Sequence, residues 1–233
     1  TINKLQSQQG NFMVWTSDVP SSDQLRDLKK TELLKAAARY FSRHGYHGAS
    51  LTEIAKALGL TKSAIYYYYS DKQSLLFECS KWAHEAILLL DEGTDTDPLV
   101  RLRTLCVAYV ELVVEHELGF MMFSDLENLS ESECRSIIAL RDRFEQRIRS
   151  LLGEARESGK LGASDPKMAA LMILGSLNWM QKWFDPGGPM SATQIADQFV
   201  RVTIAGLGAV EAEDQNRSMR ELKEKRTKKT KPK

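Results

Sequence analysis

Apolar residues recur every three or four positions through most of this 233-residue chain. That spacing places apolar side chains on one face of an α-helix, whereas a half-buried strand would show a two-residue alternation. No such alternation is found in the sequence, so we predict an all-α fold. The predicted helices cover residues 22–44, 50–58, 62–68, 73–90, 99–117, 120–126, 130–158, 166–183 and 191–210.

The two short helices between residues 50 and 72 carry the most specific signal. Apolar residues at 51, 54, 55 and 58 form one stripe, and Ser50 followed by Glu53 has the spacing of a capping box. Gly59 ends the first helix, and Thr61 is placed to cap the second. This order is typical of a helix-turn-helix, whose second helix enters the major groove of DNA.

A rotation of 100° per residue predicts which face of the second helix is exposed. Ile65 and Tyr69 point inward, together with Thr61 and Leu60, and the opposite face should contact DNA. The alternative is an amphipathic hairpin inside a larger core, but four consecutive tyrosines cannot all face one core. The outward and flanking residues are Lys62, Ser63, Ala64, Tyr66, Tyr67 and Tyr68.

Residues 33–76, LLKAAARYFSRHGYHGASLTEIAKALGLTKSAIYYYYSDKQSLL, resemble the DNA-binding domain of the TetR family of transcriptional regulators. The resemblance implies that Ser50, Tyr66 and Lys72 bind the DNA backbone and that residues 62–64 read bases. Tyr69 stands where the family usually has phenylalanine, and Asp71 adds an acidic residue before Lys72. The complete predicted DNA-binding set is Ser50, Thr61, Lys62, Ser63, Ala64, Tyr66, Tyr67, Tyr68 and Lys72.

The last two predicted helices suggest a homodimer. Residues 168–177, MAALMILGSL, are apolar almost all round, so this helix needs cover on every side. The final helix adds a stripe of apolar and small residues at 195, 199, 202, 206 and 209. Both could be internal helices of a monomer. TetR-family dimers use such a four-helix seam, and a dimer would present two recognition helices to a palindromic operator.

Clusters of methionine and aromatic residues in the second half predict a cavity for a hydrophobic effector, although such clusters also occur in ordinary cores. The string LGSLNWMQKWFDPGGPMS resembles TetR members that respond to acyl-CoA thioesters, and the resemblance implies basic side chains near the CoA phosphates. Arginines 141, 143, 147 and 149 are candidates, or they form a solvated face with Asp142 and Glu145. The predicted effector-binding residues are Phe120, Met121, Phe123, Arg141, Phe144, Asn178, Trp179 and Trp183.

The net charge of +1 conceals an uneven distribution. Residues 1–80 carry 10 Lys/Arg against 7 Asp/Glu, residues 81–214 carry 13 against 22, and residues 215–233 carry 9 against 2. The two ends are therefore attracted to polyanions and the middle is repelled. We expect a mobile arm (1–21), a DNA-binding domain (22–72), a ligand-binding and dimerisation domain (73–213) and a basic disordered tail (214–233).

Three widely spaced cysteines, at 79, 106 and 134, indicate reduced thiols rather than a disulfide framework. The sequence has neither a long apolar run nor a secretion signal, which leads us to expect a cytoplasmic protein without membrane contact.

The main enzyme motifs are not found: G-x-S-x-G, the Walker A loop and H-E-x-x-H. We therefore expect neither an enzyme nor a bound metal or cofactor. Two alternatives to a repressor remain. A helical acyl-binding protein or enzyme would show no sequence-specific DNA binding, and a nucleoid-type protein would bind DNA with steep salt dependence and little base preference.

Overall fold

The computed structural model describes residues 22–123, 126–162 and 165–207, without the side chains of 22–25, 120 and 123. These residues form only helices and connections, which confirms the all-α prediction. The helices are α1 (Ser22–Gly48), α2 (Leu51–Ala57), α3 (Lys62–Tyr66), α4 (Lys72–Leu88), α5 (Pro98–Glu115), α6 (Gly119–Phe123), α7 (Glu131–Glu157), α8 (Pro166–Met180) and α9 (192–207), with a 3-10 turn at Leu126–Asn128.

The first three helices share a small apolar core. Phe41 of α1, Ile54 of α2 and Ile65 of α3 are almost completely buried. Regular helical geometry in α1 breaks at Gly45, which has a φ of 69°. Glycine adopts this left-handed conformation at little energetic cost. The regular part of α1 therefore ends at residue 44, as the sequence predicted. The α2 and α3 helices are thereby held as a compact pair against α1.

Helix α4 joins this N-terminal unit to the rest of the molecule. Asp71 caps it in a reciprocal capping box with Ser74, whose backbone N–H donates to Asp71 Oδ1 at 2.7 Å. The buried side of α4, which includes Leu75, Leu76 and Ala83, packs against both α1 and α7. Movement of α4 would therefore be felt by both parts of the protein.

The helix ends in the body follow their local sequence signals. Asp97 caps α5 with Pro98 in the first turn, and Ser130 caps α7 in a reciprocal box with Glu133. The C-terminal stop of α7 is also confirmed, because Gly159 adopts a φ of 71° just beyond it.

Helix α8 is shorter than predicted. It ends at Met180 rather than near residue 183, because the next N–H groups turn back to carbonyls three residues earlier: Lys182 to Trp179 at 3.0 Å and Trp183 to Met180 at 3.1 Å. A turn at Asp185 follows, with its carboxylate accepting the Gly187 N–H at 2.9 Å. The prediction that α9 reaches residue 210 and those for residues 1–21 and 214–233 lie outside the described residues.

None of the described helices combines the length and the apolar character that crossing a bilayer requires. The three cysteines are free thiols, with Cys79 and Cys106 buried. Burial raises the pKa of both thiols above the ordinary value.

Candidate DNA-binding face and effector cavity

The short helix α3 presents a polar and aromatic face to solvent. Thr61 caps it by accepting the Ala64 N–H at 3.3 Å. Ile65 is completely buried and Tyr69 is 4% exposed, whereas Tyr67, on the opposite side, is 70% exposed. The predicted orientation of α3 is confirmed for these residues. The outward surface consists of Lys62, Ser63, Tyr66 and Tyr67, with Ala64 and Tyr68 half-buried at its edge.

Cationic side chains lie beside the exposed tyrosines. Lys62 Nζ lies 5.4 Å from the centroid of the Tyr66 ring, and the Arg26 guanidinium of α1 lies 5.9 Å from the Tyr67 ring. Positive charge from two helices therefore lies beside the exposed tyrosine rings on one surface. Such a surface suits the phosphates of a nucleic acid.

The prediction that Leu60 and Thr61 pack inward is wrong, since both are exposed. Leu60 is 42% exposed and lines an open apolar groove with Leu28, Leu58, Ala64 and Tyr68. It lies in the turn before α3, where a rotation of 100° per residue does not apply.

Two residues predicted to bind phosphate also hold the local structure together. The Ser50 hydroxyl accepts the Glu53 N–H at 3.2 Å and donates to its carboxylate at 2.8 Å. Lys72 Nζ donates to the Tyr46 and Ala49 carbonyls at 2.8 and 2.9 Å, and lies 4.2 Å from the Tyr46 ring centroid. Two of the three Lys72 donors are thus directed into the protein.

A cavity of about 120 Å³ lies between five helices of the body and is partly open to solvent. Its walls come from α4, α5, α6, α7 and α8, and half of its lining residues are apolar. The lining residues are His84, Ile87, Tyr109, Met122, Leu140, Arg141, Phe144, Glu145, Leu174 and Asn178. An apolar cavity of comparable size, 150 Å³, takes up benzene in a well-studied case, so this one has room for a group of about six heavy atoms.

Hydrogen bonds fix the polar groups of this cavity. His84 Nδ1 lies 2.7 Å from the Ser80 carbonyl, so this nitrogen carries the proton and Nε2 accepts from Arg141 Nε at 3.2 Å. The Tyr109 hydroxyl donates to Asn178 Oδ1. Burial raises the pKa of Tyr109, so its hydroxyl stays protonated.

The structure brings only part of the predicted effector set to the cavity. Arg141, Phe144 and Asn178 line it, and the buried Met121 adjoins it through its carbonyl, which accepts from Arg141 Nη2 at 3.5 Å. The side chains of Phe120 and Phe123 lie outside the described residues.

Trp179 and Trp183 do not contribute to the cavity. They are 61% and 49% exposed, and Trp183 packs on Phe199 in an open groove beside α9. Consecutive residues of a helix point 100° apart, so Trp179 cannot share the direction of Asn178.

Sequence reasoning missed His84 and Tyr109, which lie on helices without an obvious cluster. The one available signal was the helical spacing that places Ser80, His84 and Ile87 on the buried side of α4.

The other arginines of α7 are engaged elsewhere. Arg147 Nε pairs with Glu92 at 3.0 Å and its Nη2 donates to the Leu90 carbonyl at 2.6 Å, while Arg149 lies 3.7 Å from Glu145. Arg143 is exposed. Across the described ranges, no three His, Cys, Asp or Glu side chains converge into a set that could hold a metal ion.

Acidification should destabilise the protein through His84. Burial depresses its pKa from about 6.5 to about 4, so between these values the unfolded chain binds more protons than the folded one. Stability is therefore complete above about pH 6.5 and falls as the pH drops, by roughly 2–3 kcal/mol at about pH 4.5. Urea unfolding at about pH 7 and about pH 4.5 measures this loss.

The variants His84→Gln and His47→Gln isolate that effect from the carboxylates. His47 is exposed, so its removal should leave the pH dependence as in the parent protein, whereas His84→Gln should reduce it. An unchanged loss in His84→Gln would contradict the assignment of the acid sensitivity to His84.

An apolar face of α8 and α9 remains open to solvent. Met168, Met172 and Trp179, spaced four and seven residues apart on α8, are 57%, 56% and 61% exposed, and Val202 of α9 is 60% exposed. Met168 and Met172 belong to the segment, residues 168–177, that the sequence predicted to need cover on every side. Exposed apolar patches of this kind mark interaction sites.

Comparison with known proteins agrees with this arrangement. Residues 33–79 match the family described as "Bacterial regulatory proteins, tetR family", and residues 95–207 match "Tetracyclin repressor-like, C-terminal domain". The transcriptional repressor KstR2 of Mycobacterium tuberculosis is 22% identical over 187 residues, which cover 77% of this chain and 92% of that protein.

Two solved structures are also similar over most of their length. The TetR-family regulator PfmR of Thermus thermophilus is 32% identical with a TM-score of 0.69, over 75% of this chain and 98% of that one. AibR in complex with isovaleryl coenzyme A and operator DNA is 26% identical with a TM-score of 0.68, over 75% and 97% of the two chains. With both of its parts matched and its recognition helix exposed, the protein belongs to the TetR family of transcriptional regulators.

Proposed function

We propose that the protein is a homodimeric one-component repressor. It binds a palindromic operator through α3 and is released by a hydrophobic effector with a short acyl group, such as an acyl-CoA thioester. The observation that carries this proposal is the exposed face of α3. Lys62, Ser63, Tyr66 and Tyr67 form this face, and the buried Ile65 anchors the helix from the opposite side. The similarity to the repressor KstR2 supports it.

Selection of bound sequences from a random DNA pool tests the DNA-binding part. We expect an inverted repeat, because a two-fold dimer presents identical helices to two half-sites about one helical turn or more apart. Recovery of no preferred sequence would contradict the proposal. Weak binding of all DNA with a steep salt dependence would favour a nucleoid-type protein, and no DNA binding would favour a helical acyl-binding protein or enzyme.

Tyr66→Phe should weaken binding to operator and to random DNA alike, by about 1 kcal/mol, because the lost hydroxyl would donate to a phosphate rather than to a base. Tyr66 is 46% exposed, so the fold should be unaffected. Fluorescence anisotropy with both DNAs measures the change. A loss restricted to one base position would show that Tyr66 reads sequence.

The dimer rests on the open apolar face of α8 and α9. Pairing this face with its symmetry copy would cover Met172, Trp179 and Val202 with equivalent side chains, as two-fold interfaces do. Gly175, Ala205 and Gly206 are exposed beside them and would let the backbones approach closely. Sedimentation equilibrium should show a dimer at micromolar concentration.

The effector would bind in the cavity between α4 and α8 and act on DNA through α4. This helix carries His84 in the cavity wall, and it begins with Lys72, which holds the end of α1. For a 100-fold release from DNA, the effector must bind the DNA-free conformation about 2.7 kcal/mol more tightly than the DNA-competent one. A titration of the protein–DNA complex with isovaleryl-CoA, the ligand in the AibR complex, tests this coupling.

A further inference from the structure

A purely hydrophobic effector would leave one feature of the cavity unexplained, the cationic side chain of Arg141. Its guanidinium belongs to the cavity wall and is largely withdrawn from water, and burial lowers its pKa. Its contacts are with neutral acceptors: His84 Nε2 at 3.2 Å and the Met121 carbonyl at 3.5 Å. Among residues 22–123, 126–162 and 165–207, no carboxylate comes within the 4.0 Å of an ion pair with Arg141.

The other polar groups of the wall do not neutralise this charge. His84 is uncharged at neutral pH, and the Tyr109 hydroxyl is engaged by Asn178. Glu145 is the one carboxylate among the lining residues, and Arg149, on the same helix, lies 3.7 Å from it. Glu145 is therefore paired with Arg149 rather than with Arg141.

A desolvated cation without a counter-ion is unfavourable, and an anion that enters beside it recovers part of that cost. A guanidinium has five N–H donors in a planar fork. Among the described residues, Arg141 uses one donor on Nε and one on Nη2, which leaves three for a ligand. This number and geometry suit the two oxygens of a carboxylate.

Resting on the proposed function, we infer that the effector places a carboxylate in the cavity, where Arg141 binds it. The volume of about 120 Å³ has room for a buried part of about six heavy atoms. Two ligand types share this chemistry. One is a free short-chain carboxylic acid, and the other is an acyl thioester whose acyl chain ends in a second carboxylate.

Calorimetric titration of the full-length protein distinguishes these ligands. Glutaryl-CoA and pentanoyl-CoA have five-carbon acyl groups and differ in the terminal carboxylate. If the effector is the thioester form, glutaryl-CoA should bind at least ~10-fold more tightly than pentanoyl-CoA. If the effector is the free acid, pentanoate should bind more tightly than 1-pentanol by a similar factor. Either preference supports the inference.

Substitutions on α7 assign the preference to Arg141. Arg141→Met should abolish the preference for the ligand with the carboxylate. Arg143→Met removes an exposed arginine from the same helix and should preserve that preference. Glu145→Gln removes the negative charge from the wall and should strengthen carboxylate binding by a few-fold. Arg141→Lys retains the charge but not the fork, so it should keep a reduced preference and serves if Arg141→Met does not fold.

The outcomes separate this inference from the proposed function. Equal affinity for ligands with and without the carboxylate, or a preference that survives Arg141→Met, would overturn the role of Arg141 and leave an acyl effector in place. Binding of none of the four ligands would overturn both the inference and the acyl class of effector.

Discussion

Met172→Asp should convert the protein into a monomer and lower its affinity for the operator by ~100-fold or more. Met172 is 56% exposed and lies between Met168 and Trp179 on the open face of α8. In the proposed dimer the substitution would bury carboxylates without partners, at a cost of several kcal/mol. A monomer would also lose the gain from binding two half-sites at once, which reaches 10²–10⁴-fold in linked binding.

Sedimentation velocity and operator binding measure the two effects together. Ile138→Asp is the matched control, because it places the same charge on a 43% exposed apolar residue of a different helix, α7. The control should remain dimeric and bind normally. A Met172→Asp protein that stays dimeric would place the seam elsewhere, and a monomer with unchanged operator affinity would contradict the need for a dimer.

The sequence was sufficient for several helix ends because the signals that define them are local. Asp97 with Pro98, Ser130 with Glu133 and Gly159 each act within one turn, and each stands where the structure begins or ends a helix. Leu60 shows the limit of the same reasoning. A helical wheel assumes helical geometry, and Leu60 lies before α3, so its predicted burial failed.

The cavity was less predictable because a gap between helices depends on tertiary packing. Periodicity identifies Tyr109 and His84 as buried, but it does not reveal that helices far apart in sequence leave space between them. Trp179 is of a residue type that lines apolar cavities, but it directly follows Asn178. Consecutive residues of a helix point 100° apart, so α8 cannot direct both side chains into the same cavity.

Ile65→Ala should release the recognition helix and weaken DNA binding while the body of the protein remains folded. Ile65 is completely buried and is the one buried residue within the five residues of α3. Removing its side chain should cost about 3 kcal/mol, since a large aliphatic side chain leaves both lost contacts and a cavity. A five-residue helix has little independent stability, so most of this cost should appear as local opening.

Hydrogen exchange of the α3 amides and operator affinity should then change together, because only the fraction with α3 in place can bind. Ile138→Ala is the matched control: it is the same substitution at a 43% exposed residue, so we expect little change in either measurement. Loss of operator binding without faster exchange in α3 would mean that Ile65 contributes to DNA binding directly. Faster exchange without weaker binding would mean that α3 is not the helix that contacts DNA, and the proposed function would fail at its first step.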